Sequence, residues 1–207
     1  LTSIGVPVVG GNVSLYNESG GGPISPTPVI GMVGRLPDVG SVPQLGFAEE
    51  GHEIALVSPR GFQPSLAGSE LAKLHGAELP QELTEIDVGA VWECIEAVRG
   101  AARGGTLASI HDVAEGGLAV ALAECCLAGG IGASVATPEE ADRLTGLFGE
   151  GVGRFVVSGP PEAVSSLGGL AMPIGTVGGR SLSLEGGPDW PIEDLRTASD
   201  ALSAAFG

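Results

Sequence analysis

From residue 53 onward the chain alternates short apolar runs with longer segments whose apolar positions recur every three or four residues. Runs at 53–57, 106–110, 133–136, 154–158, 173–177 and 181–184 predict strands. The clearest helical spacing is Val88, Val91, Trp92, Ile95 and Val98, which predicts a helix over 88–99, stopped by Gly104 and Gly105. Residues 117–127 are apolar almost all round, so a helix there must be buried, with Leu118, Val120, Leu122, Cys125 and Leu127 around its circumference. Further helices are expected at 65–75, along Leu66, Leu71 and Leu74, and at 138–147, with proline first and acids in the first turn. Others are expected at 161–167 and 191–206, the last along Ile192, Leu195, Ala198, Leu202 and Phe206. Strands interleaved with helices imply a layered α/β or α+β domain.

The first 36 residues read differently. Val6, Val8 and Val9 form a short apolar run over 4–9, Gly10 and Gly11 break it, and a loop rich in glycine and proline leads to a second run at 29–33. A strand pair is expected there, with one face and its edges unsatisfied, so this segment would pair with a second copy or be left mobile. Residues 37–51, with Pro37, Gly40, Pro43 and Gly46, read as a polar connector and the best boundary. The chain opens on Leu1 and reaches an apolar run at once, which we read as a cut through a longer protein.

Composition narrows the classes. Of the 207 residues 43% are hydrophobic and 16% charged, which is globular rather than disordered. The net charge of −16, with Lys73 as the single lysine, leaves no basic footprint for nucleic acid. It also raises the question of how such a surface would meet phosphorylated ligands: either metal ions neutralise them, or the cations lie elsewhere. Cys94, Cys125 and Cys126 have neither disulfide nor zinc spacing and read as buried thiols in a reducing cytoplasm. No apolar stretch reaches the ~18 residues of a membrane span. Neither a Gly-x-Gly-x-x-Gly opening a helix nor a phosphate-binding P-loop is present.

Candidate chemistry centres on Gly10-Gly11-Asn12-Val13-Ser14-Leu15-Tyr16-Asn17-Glu18. Glycine amides can face phosphate oxygens, Asn12 offers a hard carbonyl oxygen suited to Mg²⁺, and the Ser14 hydroxyl can reach a phosphate or ribose. The alternative is a glycine turn in which Asn12 tolerates a left-handed backbone. A second stretch, Ser109-Ile110-His111-Asp112 followed by Gly116-Gly117, reads as a strand, an acid after it, and a glycine pair opening the buried helix. Asp112 there is a metal ligand or a turn cap.

These stretches carry a resemblance. Val-Pro-Val-Val-Gly-Gly-Asn-Val-Ser-Leu-Tyr-Asn-Glu at 6–18, then Pro-Thr-Pro-Val-Ile-Gly-Met-Val-Gly at 26–34, resembles the second AIR-synthase-like half of the phosphoribosylformylglycinamidine synthase family. The resemblance extends through 109–124 and implies an α+β fold. In it, residues 1–48 end an ATP-binding-type AIR synthase N-terminal-like domain, and 49–207 form an AIR synthase C-terminal-like domain. It implies ATP as substrate, with Gly11 touching ATP, Asn12 binding Mg²⁺ and Ser14 contacting substrate. Asp112 falls in the later repeat, where a metal role need not carry over. It further implies an ATP-dependent ligase making formylglycinamidine ribonucleotide in purine biosynthesis, a cytoplasmic location, a glutaminase subunit supplying ammonia, and a small bridging subunit. The family's catalytic histidines and lysine-bearing ATP contacts lie in the first half, so no catalytic residue is assigned and the chain alone is expected to be inactive.

Where the family's first repeat reads Glu-Ser-Gln and touches substrate, this chain has Glu150-Gly151-Val152. Substrate contact is therefore not carried over, and Glu150 and Arg154 are expected to fix a turn. His52 and His75 receive no role. Two other readings remain: a non-catalytic repeat offering a docking surface, and another AIR-synthase-like ATPase, against which the Asn-Val-Ser-Leu-Tyr-Asn-Glu run argues.

Overall fold

The computed structural model describes residues 4–14, 17–24, 27–82, 84–137 and 142–206, with side chains through Ala201. It divides into two compact units, Leu1–Val39 and Gly40–Gly207.

In the first unit the described residues form one ladder, β1 (Glu18–Ser19) against β2 (Gly22–Pro23). The strands expected at 4–9 and 29–33 are not formed, nor is their pairing. A strand exists only through a neighbour that completes its backbone hydrogen bonds, and neither run has one among the described residues. Their side chains are accordingly open: Val9 is 96% exposed, and Val8, Val29, Ile30 and Val33 are exposed as well.

The second unit is built on a seven-stranded sheet in the order β4-β6-β3-β7-β5-β8-β9. Its strands are β3 (Glu53–Val57), β4 (Ser109–Val113), β5 (Ala133–Val135), β6 (Arg154–Gly159), β7 (Ala171–Val177), β8 (Ser181–Leu184) and β9 (Asp189–Pro191). All neighbours are antiparallel except the parallel pair β5 and β8. Alternation along β3 sends Ile54 and Leu56 to one face and Ala55 and Val57 to the other, and all four are buried. Both faces therefore need cover. On the first lie α3 (Gly117–Gly129), α4 (Arg143–Phe148) and the start of α6 (Ile192–Phe206), through Leu118, Leu122, Cys125, Leu147 and Ile192. On the second lie α2 (Val88–Arg103) and α5 (Pro161–Ser165), through Cys94, Val98, Ala163 and Val164. The result is a layered α+β sandwich.

Helix ends follow capping chemistry. The Asp87 carboxylate accepts from Ala90 N at 3.0 Å to start α2, and Gly104 ends it. Asp142 starts α4 by accepting from Thr145 N at 2.8 Å; these hydrogen bonds, backbone first, hold its carboxyl below the usual carboxylate range. The helix expected over 138–147 is thus confined to Arg143–Phe148, and 138–141 lie outside the described residues. The helix expected at 65–75 shrinks to α1 (Glu70–Leu74), because Ser69 caps it by accepting from Ala72 N at 3.2 Å; Leu74 points to solvent. The strand expected at 106–110 lies three residues later, since the Thr106 hydroxyl turns back to Ala101 O and the ladder with β6 begins at the buried Ser109–Ser158 pair. Strand β9, unforeseen, pairs with β8 at the sheet's far edge.

Two expectations about burial change. Helix α3 is not enclosed all round: Val120 is 36% exposed and Glu124 is exposed, because α4 and α6 cover only part of its outer side. The connector is not merely polar either. Gln44 N donates to Ala108 O and Gln44 O accepts from Ile110 N, both at 3.0 Å, extending the sheet past its β4 edge. Phe47 is 1% exposed within the α3 core, and its N–H donates to Cys125 O at 3.1 Å. Backbones approach so closely here that a Cβ on Gly129 would sit 2.0 Å from Phe47 O. Phe47→Ala should cost about 3–5 kcal/mol, the scale of emptying a phenylalanine site in a packed core, read as a lowered urea midpoint; a loss under about 1 kcal/mol would show that the connector is peripheral.

All three cysteines are free and buried. Burial, reinforced at Cys94 by Glu93, pushes that thiol up to about 11, and burial pushes Cys126 up to about 12. Cys125 is raised too, by burial first and then by Cys126 and Glu124. Unfolded thiols release protons from about 8.5, whereas the folded chain keeps them. The unfolded state then binds fewer protons, so this contribution to stability is complete below about pH 8.5 and is lost as pH rises through the folded values. Melting midpoints should fall from pH 8 to 10, and fall less steeply when Cys94, Cys125 and Cys126 are all replaced by Ala; equal slopes would refute the thiol contribution.

Candidate functional site

The glycine-asparagine stretch lies in the first unit. Gly10, Gly11, Asn12, Val13 and Ser14 are all exposed, and Leu15 and Tyr16 lie outside the described residues. The Asn17 side-chain amide donates to Ser14 O at 2.7 Å, and Ile24 N donates to Asn17 O at 3.1 Å, so Asn17 ties the end of the stretch to the β1–β2 turn. No described residue other than glycine has a positive φ, so Asn12 is not the left-handed turn residue of the alternative reading. Gly11, Asn12 and Ser14 thus lie together on one exposed segment, which presents one hard amide oxygen and one hydroxyl. Among the described residues no three His, Cys, Asp or Glu gather into a metal site. A Mg²⁺ ion at Asn12 would have to take its remaining ligands from phosphate oxygens and water, which is how this cation is commonly held.

Asp112 is inside β4 rather than after it, opposite Phe155, with its carboxylate exposed. Its neighbour His111 points to the other face and is largely buried. His111 Nδ1 lies 2.6 Å from Asp112 O, and Nε2 lies 3.3 Å from a Glu124 carboxylate oxygen on α3. The side chains of Asp112 and His111 come no nearer than 3.8 Å. His111 therefore ties β4 to α3; Asp112 belongs to the second unit and Asn12 to the first.

The most constructed place in the second unit surrounds Glu150. One carboxylate oxygen accepts from Gly116 N, the cap of α3, and from Glu70 N, the first residue of α1, both at 2.8 Å. A negative charge at two helix starts satisfies two N–H groups that have no partner inside their helices. Beside it a cavity of about 430 Å³ is lined by residues 59–63, 84–87, Val91 and 150–152. Arg154, 2% exposed, donates from Nε to Ser58 Oγ at 3.2 Å and stacks its guanidinium 4.6 Å above the Phe62 ring. That ring also fills the space a side chain at Gly151 would need, with ring carbons 2.6 Å from the position of a Cβ. Glu150 and Arg154 thus fix the turn, as expected from the sequence. That Glu150 bridges two helices was not foreseen, because its partners lie 34 and 80 residues away. A second, mainly apolar cavity of about 350 Å³ lies between α3 and α6, lined in part by Val120, Leu127, Phe148 and Trp190.

The sequence is 42% identical over 95% of the chain to the phosphoribosylformylglycinamidine synthase subunit PurL of Anaeromyxobacter sp. (strain Fw109-5), and 36% identical over 99% to that of Parafrankia sp. (strain EAN1pec). In both cases the chain spans 28% of the relative's length. The fold is similar to that of T. maritima PurL complexed with FGAR, with a TM-score of 0.61 at 16% identity, covering 76% of this chain and 30% of that one. T. maritima PurL complexed with ATP aligns at a TM-score of 0.56, 16% identity, over 74% of this chain and 27% of that one. The family model for AIR synthase related protein, C-terminal domain, matches residues 49–185, which contain the whole layered core from β3 to β8. On that match the chain belongs to the AIR synthase related protein family, of which it carries the C-terminal domain.

Proposed function

We propose that this chain is part of the synthetase subunit of a phosphoribosylformylglycinamidine synthase. That enzyme uses ATP to convert formylglycinamide ribonucleotide and ammonia into formylglycinamidine ribonucleotide in the cytoplasm. The observation that carries the reading is likeness to PurL subunits at 36–42% identity over nearly the full chain, so that it includes both the glycine-asparagine stretch and the layered domain. On this reading residues 1–48 close the second ATP-binding-type domain and 49–207 are the second C-terminal-like domain. The chemistry is activation of the formamide oxygen by phosphoryl transfer, followed by displacement by ammonia. It asks the protein chiefly for positioning and charge neutralisation.

Within it, Gly11 lies against ATP, Asn12 supplies one oxygen to Mg²⁺, and Ser14 reaches the substrate. Mg²⁺ would offset phosphate charge, which answers how so acidic a chain takes part in phosphate chemistry. Asp112 stays outside this set: its exposed carboxylate lies on β4, and among the described residues it belongs to no group of three His, Cys, Asp or Glu that could hold a metal. Ammonia would come from a glutaminase subunit joined through a small bridging subunit; the solved T. maritima PurLQS assembly is similar in fold over 74% of this chain, with a TM-score of 0.55. One observation favours a scaffolding role for the second unit. Its Glu150 is engaged by two helix starts, and Gly151 is filled by Phe62, leaving neither hydroxyl nor amide at the place the first repeat uses for substrate.

Two outcomes test the proposal. Incubated with ATP, formylglycinamide ribonucleotide and ammonium, the chain alone should form no amidine product, because the family's catalytic histidines and lysine-bearing ATP contacts lie in the first half; turnover comparable to a full-length relative would overturn the division of labour. In a full-length synthase carrying this segment, Asn12→Ala should raise the Mg²⁺ concentration needed for half-maximal rate and lower kcat with the fold intact. A Mg²⁺ titration superimposable on the parent's would remove Asn12 from the metal site.

A further inference from the structure

Between β3 and α2 the chain leaves the sheet for a long surface excursion. Its first part, residues 60–76, contains one buried residue, Ser69, and no residue of α1 is buried. The segment is bounded by Gly61 and Gly76, whose backbones are left-handed at φ +73° and +69°, and a Cβ on either would meet nothing within 4 Å. At both positions backbone conformation rather than crowding calls for glycine, which makes them the places where direction changes at least cost.

Between these two glycines the segment is tied down through residues 149–154. Ser65 and Glu150 exchange both backbone hydrogen bonds, at 3.1 and 2.9 Å. The Glu150 carboxylate holds the Glu70 N–H. Phe62 lies under Arg154 and against Gly151. The same residues line the partly open 430 Å³ cavity: Phe62 and Gln63 from the segment, and Glu150, Gly151 and Val152 from the turn that holds it.

We propose that residues 62–75 form a strap over this cavity, hinged at Gly61 and Gly76 and latched by Glu150, which opens as one piece while the sheet stays folded. Opening breaks the two Ser65–Glu150 backbone hydrogen bonds, one charge-assisted bond and one cation–ring stack, and disturbs the Phe62 N–Pro59 O and Ala77 N–Ala72 O bonds that span the hinges; the apolar surface it uncovers is limited to half-buried side chains such as Phe62 and Leu66. Such an element opens at a free energy well below that of global unfolding. Glu150 is the latch because it is also fixed on the other side: the oxygen that holds the strap holds Gly116 N at the start of α3, so it cannot follow the strap outward. This inference is independent of the reaction assigned above.

Native-state hydrogen exchange on the full chain tests it. The amides of Ser65 and of residue 150, which donate to each other's carbonyls across the latch, should exchange through a common opening faster than the amides of Ala55 and Val57 in β3. Glu150→Ala should raise the strap-to-β3 ratio of exchange rates about 10- to 100-fold, the scale of a charge-assisted hydrogen bond. Glu150→Gln, which keeps one acceptor oxygen, should fall between. Using a ratio removes any general loss of stability in the variants. A second arm follows access: Val91→Cys places a thiol in the cavity wall, and its labelling by a bulky maleimide should quicken with Glu150→Ala by a similar factor. Strap amides exchanging in step with β3, a ratio unmoved by Glu150→Ala, or labelling indifferent to that change would each overturn the proposal.

Discussion

Four consecutive residues of β3, Ile54, Ala55, Leu56 and Val57, are buried, and a strand that is apolar on both faces can be stable only if both faces are covered. That single demand sets the architecture of the second unit. The side toward Ile54 and Leu56 takes α3, whose inner surface is made of Ala119, Ala121, Cys125 and Cys126 among larger leucines, so the helix lies close to the sheet. The side toward Ala55 and Val57 takes α2 and α5, presenting Cys94, Val98 and Val164. Burial at about 25 cal/mol per Å² of apolar surface is the term that offsets the ordering of so glycine-rich a chain. The high thiol pKa values are a by-product of the same enclosure rather than a sign of reactivity.

The demand for cover also explains the ends of the sheet. An exposed edge recruits partners, and at β4 the edge is met by Gln44, while Phe47 drops into the α3 core. The connector therefore seals the domain it leads into. At the opposite edge β9 pairs with β8 and turns directly into α6, so one hairpin ends the sheet and starts its outermost helix. The groove left between α3 and α6 is the uncovered remainder, which is why Val120 and Leu127 line a cavity instead of a sealed core.

What could be read in advance depended on range. Helix α2 was legible because Val88, Val91, Trp92, Ile95 and Val98 recur at helical spacing within it, and its stop at Gly104 is local chemistry. Strands β3, β5, β6, β7 and β8 were legible from runs of four or five residues. Register was not: β4 begins where Ser109 meets Ser158, a partner 49 residues away, so Asp112 moved from a loop into a strand. The runs at 4–9 and 29–33 failed for a related reason. Val8, Val9 and Val29 carry strand propensity, but propensity without a neighbour leaves extended, solvated backbone. Of the candidate site, the grouping of Gly11, Asn12 and Ser14 was visible because it is contiguous. The role of Glu150 was not, since a carboxylate that serves two helix starts looks in sequence like any turn acid.

Glu150 shows how one side-chain type separates into different tasks. In a ligand site a carboxylate is useful when its oxygens have capacity left for a substrate or metal. Here one oxygen already takes two N–H groups from α1 and α3, and the adjacent Gly151, lacking a side chain, admits the Phe62 ring that Arg154 covers. These three substitutes for ligand contact reinforce one another. A hydroxyl-bearing residue at 151 would displace Phe62, which would uncover Arg154, and a buried guanidinium without its covering ring is costly in a low-dielectric interior. A change toward a substrate-touching sequence would therefore have to pass through less stable intermediates.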